Sequence, residues 1–119
     1  MIVKKMPILQ GFPDFETVNF FTGKLFQKYN FTPVFYDIET TGLSRNSTYL
    51  YLIGAVGIED ETWYFYQWMA ENASEEETIL RIFSQFLQQY NLMISYNGER
   101  FDQPYLEARY EKYGIPSDR

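Results

Sequence analysis

Val34-Phe35-Tyr36-Asp37-Ile38-Glu39 is the stretch on which the fold turns. Thr32-Pro33 leads into it and Thr40-Thr41-Gly42 ends it. The run is rich in β-formers and nearly all apolar, the pattern of a central buried strand. Asp37 and Glu39 stand two apart within it. Strand side chains alternate with period two, so both carboxylates leave the same face. Two acids on an otherwise apolar strand repel each other and are costly to desolvate. A divalent cation between them would offset both costs. The alternative is a strand end whose acids point into water, and Glu39 is close to that end.

Working outward, a polar loop from Ser44 to Thr48 leads to a second strand, Tyr49–Ile58, and Glu59-Asp60-Glu61 makes a turn. Thr62–Met69 is a third strand, and its short connection to the second implies an antiparallel hairpin. Ser74 and Glu77 have the spacing of a capping box at a helix start, with Glu75 and Glu76 at the positive end of the dipole. Ile79, Leu80, Ile82, Phe83, Phe86, Leu87 and Tyr90 follow as one apolar helical face. Leu92–Tyr96 is a short fourth strand, which Asn97-Gly98 breaks. A last helix runs from about Asp102 to Tyr113, with Pro104 in its first turn and Gly114 and Pro116 as its stop. A helix precedes the fourth strand, so that strand can lie parallel to the first by a crossover. The expected fold class is α/β, a mixed sheet in the order 3-2-1-4 with helices on its faces. Residues 1–32 are read as an N-terminal extension, in which Phe15, Val18, Phe21, Leu25, Phe26 and Tyr29 loosely follow helical spacing around Gly23.

Asp102 starts a helix directly after a strand-end loop. In this topology it lies near the carboxyl ends of the first and fourth strands, where Glu39 emerges and where open α/β sheets bind ligands. Alone, Asp102 reads as a helix N-cap. Asp37, Glu39 and Asp102 converging on one edge reads as a metal site.

The 119 residues contain no cysteine and no histidine. That excludes a thiol nucleophile, an imidazole base, a Ser-His-Asp triad and His- or Cys-ligated metals. A bound metal must sit on oxygen, which favours magnesium, manganese or calcium. At 45% apolar and 20% aromatic, the chain has the material for one packed core. No apolar run reaches the roughly 18–20 residues of a membrane span, and the first residues lack a signal-peptide core. The expected compartment is the cytoplasm. A net charge of −6 argues against electrostatic grip on phosphates.

Asp37-Ile38-Glu39-Thr40-Thr41-Gly42-Leu43 resembles the first motif of the DEDD (DnaQ-like) 3′–5′ exonucleases of the ribonuclease H-like fold. Tyr96-Asn97, Phe101-Asp102 and Pro104-Tyr105-Leu106 resemble their second motif, in the form found in family-B polymerase proofreading domains. With Tyr51-Leu52-Ile53-Gly54, the whole is most similar to the YprB-like ribonuclease H-like domain, over about residues 33–116. The resemblance implies a two-metal nuclease with magnesium or manganese. Asp37 would bridge both ions, Glu39 would ligate one, and Asp102 the other. Thr40 would lie beside the terminal nucleotide of a single-stranded DNA or RNA 3′ end, and Leu43 against its base. Asn97 would hold the loop that aims Asp102, or serve as a plain turn residue. Two divalent ions would change the charge from −6 to −6 + 4 = −2.

The family's third motif supplies a fourth aspartate, with a His or Tyr a few residues before it, on a later helix. Asp118 lies past the Gly-Pro stop and does not fit that role. Residues 33–119 are therefore expected to be a C-terminally incomplete domain whose fifth strand is missing, with little activity alone. Its uncovered fourth strand invites self-association. The alternative function is a non-catalytic nucleic-acid-binding or interaction module on the same fold.

Overall fold

The computed structural model describes residues 1–8, 32–42, 44, 47–60, 62–95 and 101–116. Five strands and two helices follow in chain order: β1 (Ile2–Pro7), β2 (Pro33–Thr40), β3 (Leu50–Glu59), β4 (Thr62–Met69), α1 (Glu76–Phe86), β5 (Leu92–Ser95) and α2 (Gln103–Tyr113). The sheet order is β1-β4-β3-β2-β5, with β2 and β5 parallel and every other pair antiparallel. The architecture is a mixed α/β fold, a five-stranded mixed sheet with helices, in the expected class.

The expected 3-2-1-4 order is present as β4-β3-β2-β5, but the sheet has one more strand than expected. Residues 2–7 pair antiparallel with β4 and extend that edge. Nothing in Ile2-Val3-Lys4-Lys5-Met6-Pro7 alternates, because an exposed edge strand has no buried face to specify, and its lysines are typical of such edges. Lys5 secures it: its Nζ lies 2.8 Å from Glu59 and 4.5 Å from the Tyr64 ring centre. The helix-spaced residues from Phe15 to Tyr29 lie outside the described residues.

β2 alternates. Val34, Tyr36 and Ile38 are buried, whereas Asp37 and Glu39 on the other face are exposed. The buried side meets Ile53, Ala55, Tyr66 and Trp68 of β3 and β4, and both helices close over it. Phe83 and Phe86 of α1 anchor that layer, with ring centres 5.6 and 4.9 Å from Trp68. Each fully buried side chain of this size contributes about 1.5–3 kcal/mol. The near-continuous apolar run of β2 suggested a strand covered on both faces. Among the described residues, helices cover one face only. The other, half-buried face of Phe35, Leu52, Val56, Phe65 and Ile94 lines a cleft of about 520 Å³ that reaches Asp37 and Glu39.

The α1 start departs from expectation. Asn72 caps a preceding 3-10 turn, Ala73–Glu75, by accepting from the Ser74 amide at 3.0 Å. Among the described residues the Ser74–Glu77 capping box does not form. Asn72 is an equally good cap two residues earlier, and Glu77 pairs instead with Arg81 four residues on, at 2.9 Å. α2 ends as its sequence indicates, on Gly114 in the left-handed conformation (φ 66°).

Candidate functional site

β5 pairs with β2 over Pro33–Tyr36 and stops at Ser95, while β2 continues to Thr40. Beyond Tyr36, one edge of β2 is therefore free of β5, and the first turn of α2 arrives there. Asp102 is only 2% exposed. Its side chain makes no capping hydrogen bond to its own helix. Its Oδ2 instead accepts from the Ser95 hydroxyl at 2.7 Å. The N-cap reading of Asp102 thus fails: the carboxylate turns away from the helix and toward the strands.

Asp102 also meets Asp37. Burial pushes the Asp102 carboxyl above the ordinary range, the Ser95 bond opposes this, and the charge and hydrogen bonding of Asp37 raise it further. Two carboxylates from distant parts of the chain thus share one site at the end of β2. The bond from the Tyr36 hydroxyl to Gln103 Oε1, at 3.0 Å, ties the residue before Asp37 to the residue after Asp102. Asp37 Oδ1 accepts from the Ile38 amide at 3.0 Å, which steadies that side chain on its strand.

Glu39 leaves β2 on the same exposed side as Asp37. Among the described residues, however, no group of three or more Asp, Glu, His or Cys is close enough to hold a metal together. The structure therefore brings Asp37 and Asp102 together and leaves Glu39 outside the pair, in water. Thr40 stands at the end of β2, its hydroxyl donating to the Gly42 carbonyl at 2.6 Å. Leu43, Asn97 and Asp118 lie outside the described residues.

The donor set suits a hard cation: two carboxylates, one of them buried, a hydroxyl beside them and, among the described residues, no lysine or arginine paired with Asp102. Asp37 and Asp102 could hold such an ion.

A second acidic centre was not recognised from sequence. Glu76 is fully buried at the start of α1. Its Oε2 accepts from the Leu50 amide at 2.6 Å and from Arg109 Nε at 2.8 Å. Its Oε1 accepts from Arg109 and from the Tyr113 hydroxyl. Read only as a helix-dipole acid, Glu76 gave no sign of this. The available signal was Arg109, which shares the apolar side of α2 with Tyr105, Leu106 and Tyr110. A guanidinium there needs a buried partner.

The family model described as RNase_H superfamily matches residues 34–119. Among solved structures, the family B DNA polymerase from the hyperthermophilic archaeon Pyrobaculum calidifontis is similar at 20% identity with a TM-score of 0.60. The match covers 72% of this chain and 12% of the polymerase, and it speaks to the fold alone. No curated protein matches the sequence. Among the described residues, no helix is long and apolar enough to cross a membrane. With most of its length matched and the sheet and helices in place, the chain belongs to the RNase H superfamily.

Proposed function

We propose that this chain carries the core of a metal-dependent nuclease of the DEDD type, similar to the YprB-like domain, acting on single-stranded 3′ ends of DNA or RNA in the cytoplasm. The carrying observation is the meeting of Asp37 with the buried, non-capping Asp102. In this reading Asp37, Glu39 and Asp102 hold magnesium or manganese, Thr40 and Leu43 contact the terminal nucleotide, and Asn97 shapes the loop before Asp102. A divalent cation bound there supplies a Lewis acid for the phosphoryl oxygen and lowers the pKa of bound water. Ser95 fixes which oxygen of Asp102 faces the site, and the Tyr36–Gln103 bond holds α2 against β2. Self-association belongs at the outer edge of β5, which has no partner strand among the described residues.

Glu39 standing apart favours a second reading, a nucleic-acid-binding module that does not cut. Manganese titration of tryptophan fluorescence, paired with hydrolysis of a labelled oligonucleotide with and without chelator, separates the two. Chelator-sensitive release of nucleotides supports the nuclease. Oligonucleotide binding that chelator leaves unchanged, without hydrolysis, supports the module. Failure of the chain to bind manganese or oligonucleotide overturns both.

Ser95→Ala provides a check on the metal role. Losing a partner that orients a ligand typically costs 10–100-fold in metal affinity, so manganese binding should weaken by roughly that factor. Unchanged affinity would remove Asp102 from the ligand set.

A further inference from the structure

We propose that Tyr105 is a positioning residue whose buried hydroxyl, acting through Thr48, fixes the loop after β2 against the helix that follows Asp102. The inference rests on the nuclease reading for what that loop contacts, and on the following geometry for the clasp itself.

The chain leaves β2 at Thr40 and re-enters the sheet at Leu50. Its described residues are cross-braced. The Thr41 amide donates to the Tyr49 carbonyl at 3.0 Å, and the Tyr49 amide donates to Thr41 Oγ1 at 3.0 Å. A Cβ on Gly42 would lie 2.9 Å from the Thr48 methyl, so that methyl occupies space only glycine leaves. Thr48 Oγ1 donates to the Ser44 carbonyl. The described residues on the two sides of this loop are therefore tied to one another.

Thr48 Oγ1 also lies 2.8 Å from the Tyr105 hydroxyl. A threonine hydroxyl has one hydrogen, and here Ser44 takes it, so Tyr105 is the donor. Tyr105 is fully buried, three residues after Asp102, with its ring 5.4 Å from that of Phe101. A fixed phenol thus reaches from the helix bearing the acidic pair's second member to the loop that begins at Thr40. The return of the loop is held as well, because Glu76, which grips Arg109 of the same helix, also accepts from the Leu50 amide. Losing the phenolic bond would free the loop relative to Asp102 without touching either carboxylate. Capture of the terminal nucleotide should suffer, and turnover once bound should not.

Tyr105→Phe and Thr48→Val each delete this bond, the second from the loop side in case the buried phenol is needed for folding. Thr48→Ser keeps it. Amide hydrogen exchange of the 119-residue chain should show Thr41 and Tyr49 exchanging about 10-fold faster in the first two variants, the usual worth of one hydrogen bond. Thr48→Ser and the β3–β4 amides should keep wild-type rates. On a labelled single-stranded oligonucleotide, KM should rise by a similar factor with kcat within about twofold. Wild-type exchange at Thr41 and Tyr49 in both deletion variants overturns the clasp. Faster exchange with an unchanged KM overturns the positioning role. A wild-type chain that binds neither manganese nor the oligonucleotide refutes the nuclease reading, while the exchange comparison still decides the clasp.

Discussion

Asp37→Asn and Asp102→Asn are each expected to lower manganese affinity and manganese-dependent hydrolysis by more than about 100-fold, since losing even an orienting partner costs 10–100-fold. The same variants should fold at least as well as the parent in chelator. The reason lies in the pair itself. Asp102 is buried beside Asp37, and its carboxyl is held above the ordinary range by desolvation first and by its neighbour second. A carboxyl with a raised folded-state pKa binds its proton more tightly in the folded chain than in the unfolded one. The resulting stability is fully present below the ordinary aspartate pKa of about 4 and is lost as pH rises through the folded value. Near neutral pH the ionised site is therefore a cost to the fold. Asparagine removes that charge, keeps the shape and can still accept from Ser95. Thermal unfolding in chelator should show Asp102→Asn more stable than the parent near pH 7, with the difference shrinking toward pH 4. Manganese should stabilise the parent by mass action and leave the variants unmoved. Full activity in Asp37→Asn would sink the assignment of the site. A less stable Asp102→Asn would sink the electrostatic account of it.

How much of this was legible in the sequence depends on what each residue had to satisfy. The strands β2 to β5 and their order follow from apolar runs, short turns and one crossover, all local signals. Asp102 was recognisable because a motif and a topology pointed to the same sheet edge, although whether it capped the helix or faced the site needed side-chain directions. β1 was hidden because an edge strand exposed on both faces leaves no pattern. Glu76 was hidden for the opposite reason. A glutamate in a first helical turn has an adequate local explanation, so nothing prompts a search for the arginine 33 positions away that it binds. That helices cover only one face of the sheet, among the described residues, was also hidden, since Phe35 reads the same in a strand covered on one face or two. Local chemistry reports elements well. It reports long-range polar pairs only when a residue is locally out of place, as Arg109 was.

Glu76→Ala is expected to be the most destabilising single substitution in the described structure. Removing one member of a buried ion pair leaves the other charge uncompensated, at a cost of roughly 3–5 kcal/mol. Here the carboxylate does more than pair: it accepts four hydrogen bonds, from Leu50, twice from Arg109, and from Tyr113. The truncation strands a guanidinium that is 3% exposed and a backbone amide at a fully buried position. For a chain between the small and mid-sized domains, each kcal/mol shifts Tm by roughly 2–8 °C, so a fall of more than about 10 °C is expected. Replacing Glu76 and Arg109 together by Leu and Met tests which part of the loss is charge. Such apolar swaps of buried pairs are often neutral, but this one should not be. The Leu50 amide would still lack its acceptor, at a cost of about 1–3 kcal/mol. The double variant should therefore fall between the parent and Glu76→Ala in urea midpoint. A loss below about 1 kcal/mol in Glu76→Ala, ordinary for exposed ion pairs, would mean that Arg109 finds water once its partner is gone. A double variant as stable as the parent would mean that Leu50 does. The network joins the start of β3 to the middle and end of α2, so its failure should also loosen the helix from which Asp102 faces Asp37.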